Sequence, residues 1–226
     1  MKHDLQTEMV RTREAVVQIT SWCIVVALHQ SKGVGSARLQ KVADSIERTQ
    51  QVYNMTARSK GSAAAFEDLI REVGKYCTPE MRVPLNRAAR NRREHQLRMA
   101  ADQACQMAWC MFAKAAHEVL GFGSRRLEDV RQEALNNYRQ FTEWDREDHR
   151  WAMERLRRCV QDALGVEIRI VEDNPTEEKA EPMADTLAAY AARVIADHHR
   201  PAGWAVMNTQ QLMNKAQRLA NQMRSE

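Results

Sequence analysis

The chain has 226 residues, of which 28% are charged and 6% aromatic, and it contains 8 glycines and 5 prolines. So few glycines and prolines indicate few turns and long elements, and the prevailing Ala, Arg, Gln, Glu, Leu and Met all favour helix. The composition therefore predicts an all-α fold. The net charge of +4 permits a nucleic-acid partner, although strong binders of this size usually carry more positive charge.

The cysteines and the apolar segments indicate the cellular compartment of the protein. The 5 cysteines are odd in number, include no CxxC pair, and lie mostly in apolar helical patterns. We therefore expect reduced, buried thiols and a cytoplasmic location. Residues 1–14 are charged throughout, so no signal peptide is expected. The longest apolar stretch, residues 22–28, is far too short to cross a membrane.

The first part of the chain, residues 1–77, predicts a unit of three helices. Apolar residues at helical spacing start near Leu5 and continue to about Gln30, where the stretch from Lys32 to Ser36 interrupts them. A second helix follows as far as about residue 58, and a third is predicted over residues 63–76. Residues 78–85 contain two prolines and are predicted to form a linker.

The same plan returns over residues 86–164. A long helix is predicted from residue 86 to about 120, then a break at residues 121–124, then helices over 126–144 and 147–164 that end at Gly165 as a C′ glycine. At an offset of 88, the string A-x-H-x₃-G-x-G-S-x-R-L-x₂-V that begins at Ala27 falls on the same string beginning at Ala115. At an offset of 87, Trp22 falls on Trp109. We interpret this pattern as a duplicated three-helix unit.

The remaining segment, residues 165–226, is predicted to be an acidic linker followed by C-terminal helices. A short strand is predicted over residues 166–171, a linker over 172–182, and helices over 183–199 and 209–223. A helix–turn–helix plan recurs here without the G-x-G-S string. Whether this segment is a degenerate third repeat stays open.

The repeated G-x-G-S-x-R-L turn is the strongest candidate site. Two glycines one residue apart permit positive φ and expose consecutive N–H groups, and the next helix directs its N-terminus at the same place, as in phosphate-binding loops. Serines at the end of the turn are the expected N-caps. The predicted phosphate-binding residues are Gly33, Gly35, Ser36, Arg38 and Lys41 in the first copy and Gly121, Gly123, Ser124, Arg125 and Arg126 in the second.

The turn resembles the hairpin of helix–hairpin–helix modules, in which a G-hydrophobic-G loop lays its amides against a DNA backbone phosphate. Val34 and Phe122 occupy the hydrophobic position. The chain departs from those modules because the usual proline before the first glycine is absent and the flanking helices are longer. The alternative is a tight αα corner, in which the first glycine of each turn is a left-handed C′ cap, and His29 and His117 are ordinary C-terminal cations.

The unit as a whole resembles small helical proteins of unknown function encoded by phages and prophages of Gram-positive bacteria. They share an apolar helix that leads into a GFG-x-x-RL turn and then a polar helix that ends in an aromatic residue. The matching residues run from His117 to Val130, with Phe141 and Trp144 beyond them. The resemblance implies a mobile-element origin and a bacterial host cell, and that family has no settled activity to carry over.

A second candidate is an arginine cluster near the predicted start of the second long helix. Arginine-rich helices can follow phosphates, but a run of charge is more often a solvated face. The members that share a side are added to the predicted nucleic-acid-binding residues: Arg87, Arg90 and Arg98.

No catalytic residue, metal site or cofactor is predicted. Residues 145–149 bring carboxylates and an imidazole together, but their spacing matches no zinc motif, and a helix start capped near Asp145 explains them better. Trp22 and Trp109 are predicted to pack in the core between the units.

These observations favour a phage-type, non-enzymatic protein that binds a DNA or RNA backbone without sequence preference, through the two turns and the arginine cluster. One alternative is a phage-encoded adaptor or inhibitor whose partner is a host or phage protein, such as a host defence complex. An enzyme is the third interpretation. The apolar residues exceed what two small bundles need, so self-association as a homo-oligomer is also expected.

Overall fold

The computed structural model describes residues 5–84 and 88–166 of the chain. These ranges form six helices and contain no strand, which confirms the all-α prediction. The helices are α1 (Leu5–Lys32), α2 (Ser36–Lys60), α3 (Ser62–Val73), α4 (Arg92–Leu120), α5 (Ser124–Glu147) and α6 (His149–Leu164). The predictions for Arg87 and for residues 167–226 lie outside the described residues. Within the described part, none of the helices combines the length and apolar character needed to cross a membrane.

Glycines and a capping side chain set the ends of several helices, in part at residues other than those predicted from the sequence pattern. The loop expected around residues 58–62 shrinks to Gly61, whose φ of 91° separates α2 from α3. Helix α4 begins at Arg92 rather than at residue 86, because the Asn91 side chain accepts the N–H of Glu94 at 2.8 Å and caps the helix there. Gly165 closes α6 with a left-handed φ of 69°, as predicted.

The start of α6 corrects the prediction for residues 145–149. The N-cap is Asp148, whose carboxylate accepts the N–H of Trp151 at 3.0 Å. Asp145 instead belongs to the last turn of α5, and its Oδ1 lies 2.5 Å from Nδ1 of His149. Among the described residues, no cluster of three or more His, Cys, Asp or Glu side chains could hold a metal ion.

The two long helices α1 and α4 lie side by side and parallel. Near their N-termini, Arg93 Nη2 lies 2.7 Å from Glu8 Oε2, a pair 85 residues apart. Farther along, the Cys105 thiol lies beside the Thr20 hydroxyl, and these residues are again 85 positions apart in the sequence. Contacts that advance together along both helices require a parallel arrangement.

The shorter helices of each half pack on the long helix of the other half. Among the described residues, the consecutive helices α1 and α2 hardly contact each other; α5 and α6 pack on α1, whereas α2 and α3 pack on α4. Helix α5 runs antiparallel to α1, since Lys32 contacts Asp129 while the earlier residue Cys23 accepts a hydrogen bond from Asn137. Helix order thus recurs in the two halves, and superposition of the two units stays a prediction.

One hydrophobic core runs through both halves. Trp22 and Trp109 are 3% and 1% exposed, which confirms that they pack in the core. All five cysteines are free thiols, as predicted. The non-helical segment 78–84 is fastened to the second half, because the Thr78 carbonyl accepts the Trp109 indole N–H at 2.8 Å and Met81 is fully buried. The segment therefore separates two sequence repeats that share one core.

Candidate nucleic-acid interface

The two G-x-G-S turns have the same backbone geometry. Gly33 and Gly121 are left-handed, with φ of 61° and 63°. Their N–H groups donate to the carbonyls of His29 and His117, at 2.9 and 3.1 Å. Each first glycine is therefore a left-handed C-terminal cap, the feature that the corner alternative requires.

The second glycine and the serine of each turn differ from expectation. Gly35 and Gly123 have φ of −79° and −85°, an extended conformation that any residue can adopt. They take the N-cap positions of α2 and α5, so Ser36 is the first helical residue of α2 rather than its cap. The same correction holds for Ser124 in α5. The serines were misassigned because the helices begin one residue earlier than a serine cap requires.

The histidines and the hydrophobic residues of the turns are structural. The Nδ1 atoms of His29 and His117 lie 3.2 and 2.9 Å from the carbonyl oxygens of Val34 and Phe122, so each ring nitrogen donates a hydrogen bond that closes its turn. Val34 is fully buried and Phe122 is 6% exposed. His117 also stacks on Tyr76. Both histidines therefore help to close the corner.

The polar residues predicted to bind phosphate are exposed, but two arginines are engaged within their own turns. Arg38 Nη2 donates to the Gly33 carbonyl at 2.9 Å, and the guanidinium of Arg126 lies 5.7 Å from the ring centre of Phe122. Lys41 and Arg125 project from the surface with the serines and glycines of the turns. The first-turn N–H groups of a helix lack acceptors within that helix, and a glycine N-cap brings no side chain to satisfy them. The N–H of Arg38 already donates to the Gly35 carbonyl at 3.0 Å, and the other first-turn donors are available to an anion.

The two turns lie at the same end of the molecule. Because α1 and α4 are parallel, both helices end there, and Lys32 Nζ bridges the end of α1 to Asp129 Oδ2 of α5 at 2.7 Å. We call residues 33–41 and 121–129 the turn end. The two turns and the N-termini of α2 and α5 therefore lie at the same end of the molecule.

The two described arginines of the cluster, Arg90 and Arg98, lie at the opposite end. Helix α4 has 29 residues, and a rise of 1.5 Å per residue places its N-terminus about 40 Å from the turn end. Arg90 precedes α4 and is exposed, its backbone N–H bound to Glu94 Oε2 at 2.8 Å, and Arg98 lies partly buried within the helix. The structure does not bring these arginines together with the turns.

A groove between α2, α3 and α4 was not foreseen from the sequence. It encloses about 450 Å³ and is lined by apolar and charged side chains: Arg48, Thr49, Val52, Tyr53, Thr56, Ala65, Asp68, Leu69, Glu72, Lys114 and Glu118. At its floor, Lys114 Nζ lies 2.5 Å from carboxylate oxygens of both Glu72 and Glu118. The Lys114–Glu118 spacing of four residues was the one local signal of this cluster.

Charges in the groove are stabilised as a network. Burial disfavours the charged lysine, but hydrogen bonds to Glu118 and Glu72 outweigh it and raise the pKa of Lys114 above its ordinary value. Burial likewise opposes ionisation of Glu118, and hydrogen bonds from Lys114 and Ser45 outweigh it and lower its pKa. Both groups therefore stay charged at neutral pH.

The fold and the turn end define an all-α protein whose two halves share a parallel pair of long helices. Comparisons with protein-family models, with curated proteins and with solved structures find no match.

Proposed function

We propose that this protein binds the sugar–phosphate backbone of DNA or RNA at the turn end, without reading sequence. The observation that carries the proposal is the placement of two uncapped helix N-termini, in matching turns, at one end of the molecule. Each N-terminus offers N–H donors and the positive end of a helix dipole.

Exposed cations surround both N-termini. Lys41 lies on α2, and Arg125 and Arg126 lie on the first turn of α5. The C-terminal ends of α1 and α4 also meet this surface, but carbonyls there already accept the N–H groups of the two following turn residues. The two histidines and Arg38 bond carbonyls of the turns themselves. The balance at the turn end therefore favours an anion.

The mode of contact differs from that of a helix–hairpin–helix module. The two helices of each turn splay apart onto different partners instead of packing as a hairpin. With a net charge of only +4, we expect weak, salt-sensitive binding in the range typical of nonspecific complexes, with Kd of about 10⁻⁴ to 10⁻⁶ M at physiological salt.

The test is fluorescence anisotropy with labelled duplex DNA and single-stranded RNA, from about 50 to 200 mM salt. The variant Lys41→Gln/Arg125→Gln should weaken binding and flatten the logarithmic salt slope by roughly two units, if each side chain contacts one phosphate. The matched control, Arg58→Gln/Lys60→Gln, removes two exposed cations at the far end of α2.

The outcomes separate the turn end from the arginine cluster. The control should bind like the wild type, and Arg90→Gln/Arg98→Gln tests the opposite end. If the wild type binds no nucleic acid at about 50 mM salt, a concentration at which nonspecific complexes remain bound, the proposal is wrong. It is also wrong if the control weakens binding as much as the turn-end variant does.

A further inference from the structure

The groove between α2, α3 and α4 is an open surface with an apolar rim. Val52 lines it and is 63% exposed. Large apolar side chains left in water at the edge of a cavity favour a binding partner. Its volume of about 450 Å³ falls in the range of sites that accept a bulky group.

The second half of the molecule carries an aromatic–cation cluster on the two helices that align in sequence with α2 and α3. The guanidinium of Arg155 lies 4.5 Å from the ring centre of Trp144 and 4.7 Å from that of Trp151. The two indoles meet edge to face at 6.0 Å. This cluster closes the cleft between α5 and α6 with two aromatic rings and a cation.

The aligned positions in the first half lack that cluster. At the offset of 88 that relates α2 to α5, Trp144 corresponds to Thr56. At the offset of 87 that relates α3 to α6, Trp151 and Arg155 correspond to Ala64 and Asp68. The first half therefore has no aromatic ring at these aligned positions and carries a carboxylate where the second half carries a cation. Two of the three aligned residues, Thr56 and Asp68, line the groove.

We propose that the groove binds an amphipathic helix of another protein that presents an aromatic residue and, four residues later, an arginine or lysine. That spacing is the one at which Trp151 and Arg155 meet on α6, and residues four apart share a helix face. The aromatic ring enters the space beside Thr56 and Leu69. The cation reaches the rim at Asp68, whose carboxylate is 42% exposed.

Asp68 is the carboxylate that can receive the partner's cation, by exchange of its exposed ion pairs. The lining carries three carboxylates against two cations, and Lys114 already neutralises part of the charge of Glu72 and Glu118. Asp68 pairs with Arg71 at 2.9 Å and with Lys60 at 3.9 Å. These exposed ion pairs contribute little and exchange readily for a cation that arrives on a partner. This mode of recognition is an apolar helix face laid into a groove.

The groove is separate from the proposed nucleic-acid surface. The two surfaces use different residues, although they approach each other at Glu118, which lines the groove and lies three residues before Gly121 of the turn end. The two proposals are tested by different variants and can therefore fail independently.

The test uses the full chain and a helix-stabilised, labelled peptide that copies residues 149–158, which carries the required aromatic and cation. Anisotropy should show saturable binding. A peptide with the Trp151→Ala change and one with the Arg155→Glu change should each bind at least about tenfold more weakly, which corresponds to about 1.4 kcal/mol.

Variants of the protein make the test specific. Thr56→Trp should fill the groove as Trp144 does and abolish binding, while the circular dichroism spectrum stays unchanged. Asp68→Arg should reverse the preference, so that the Arg155→Glu peptide binds better than the original. If Thr56→Trp does not fold, Val52→Asp blocks the apolar rim at a side chain that is 63% exposed.

Three outcomes overturn the proposal. Absence of saturable binding, or binding that neither Thr56→Trp nor Asp68→Arg alters, shows that the groove does not recognise this chemistry. Self-association that both Thr56→Trp and Trp151→Ala abolish assigns the groove to a second copy. Peptide affinity that rises on Trp204→Ala in the full chain assigns it to the chain's own C-terminal segment.

Discussion

Lys32 Nζ lies 2.7 Å from Asp129 Oδ2 and joins residues that are 97 apart in the chain. Lys32 is the last residue of α1, and Asp129 lies in the second turn of α5. The pair therefore holds the start of α5 against the end of α1, so that the second copy of the repeated turn stands beside the first.

Replacing Asp129 with Asn should strengthen polyanion binding, because it removes a carboxylate from the turn end and releases Lys32. The Asp129 side chain is 50% exposed, so we expect the free energy of unfolding to fall by at most about 1 kcal/mol. Urea unfolding and anisotropy measure the two effects. The control is Glu143→Gln, an exposed carboxylate at the far end of α5. Equal gains in affinity from both variants would mean that net charge alone is responsible.

Serine substitutions should separate the roles of the two glycines in a turn. Gly121→Ser places a side chain at φ 63° and should lower the free energy of unfolding by about 1–2 kcal/mol. Gly123→Ser keeps an accessible φ of −85° and gains a capping hydroxyl, so it should raise the free energy of unfolding by a few tenths of a kcal/mol.

The same pair of variants tests the proposed function. A serine cap at position 123 satisfies a first-turn N–H group, so the Gly123→Ser variant should bind polyanions more weakly although it is more stable. Denaturant unfolding and anisotropy on the same samples check this. Similar losses of stability in both variants would contradict the backbone geometry of the turn.

The Lys114 network should make stability depend on pH in the acid range. The pKa of Glu118 is lowered in the folded state from an ordinary value of 4.5, so its contribution is present above that pH. The contribution is lost as the pH falls through the lowered folded value. The variant Lys114→Met removes the partner, so its free energy of unfolding should be lower at neutral pH and should change less between pH 5 and 3, measured by urea unfolding.

The control for this prediction is Lys60→Met, at a side chain that is 66% exposed. It should reproduce the wild-type dependence on pH. An unchanged acid dependence in Lys114→Met would show that Lys114 does not set the ionisation of Glu118.

Thiol reactivity should follow burial. Burial raises the pKa of Cys105 and of Cys110 to about 12, and that of Cys77 to about 11, whereas the thiolate is the reactive form. Cys159 is the one partly exposed thiol of the five. Iodoacetamide at about pH 8 should therefore modify Cys159 first in the native protein and all five cysteines in denaturant, as followed by mass spectrometry. Modification of Cys105 as fast as Cys159 would contradict the buried core.

Local properties of the sequence determined the helices, the breaks between them and the burial of several residues. Helix propensity, a 3.6-residue apolar period and the positive φ of glycine act within a few residues, so the corners at Gly33 and Gly121 were foreseeable. So was the burial of Trp22 and Trp109. The serine caps were wrong because a shift of one residue in a helix start changes which side chain caps it.

Only the tertiary structure decided which helices are partners. The choice of α1 and α4 as a parallel pair rests on contacts such as Glu8–Arg93, between side chains 85 residues apart, and periodicity within one helix carries no information about them. That choice puts the two turns at one end and Arg90 at the other. It also sets α2 and α3 against α4, where Thr56 and Asp68 line a groove, whereas the positions aligned with them in sequence, Trp144 and Arg155, contact each other.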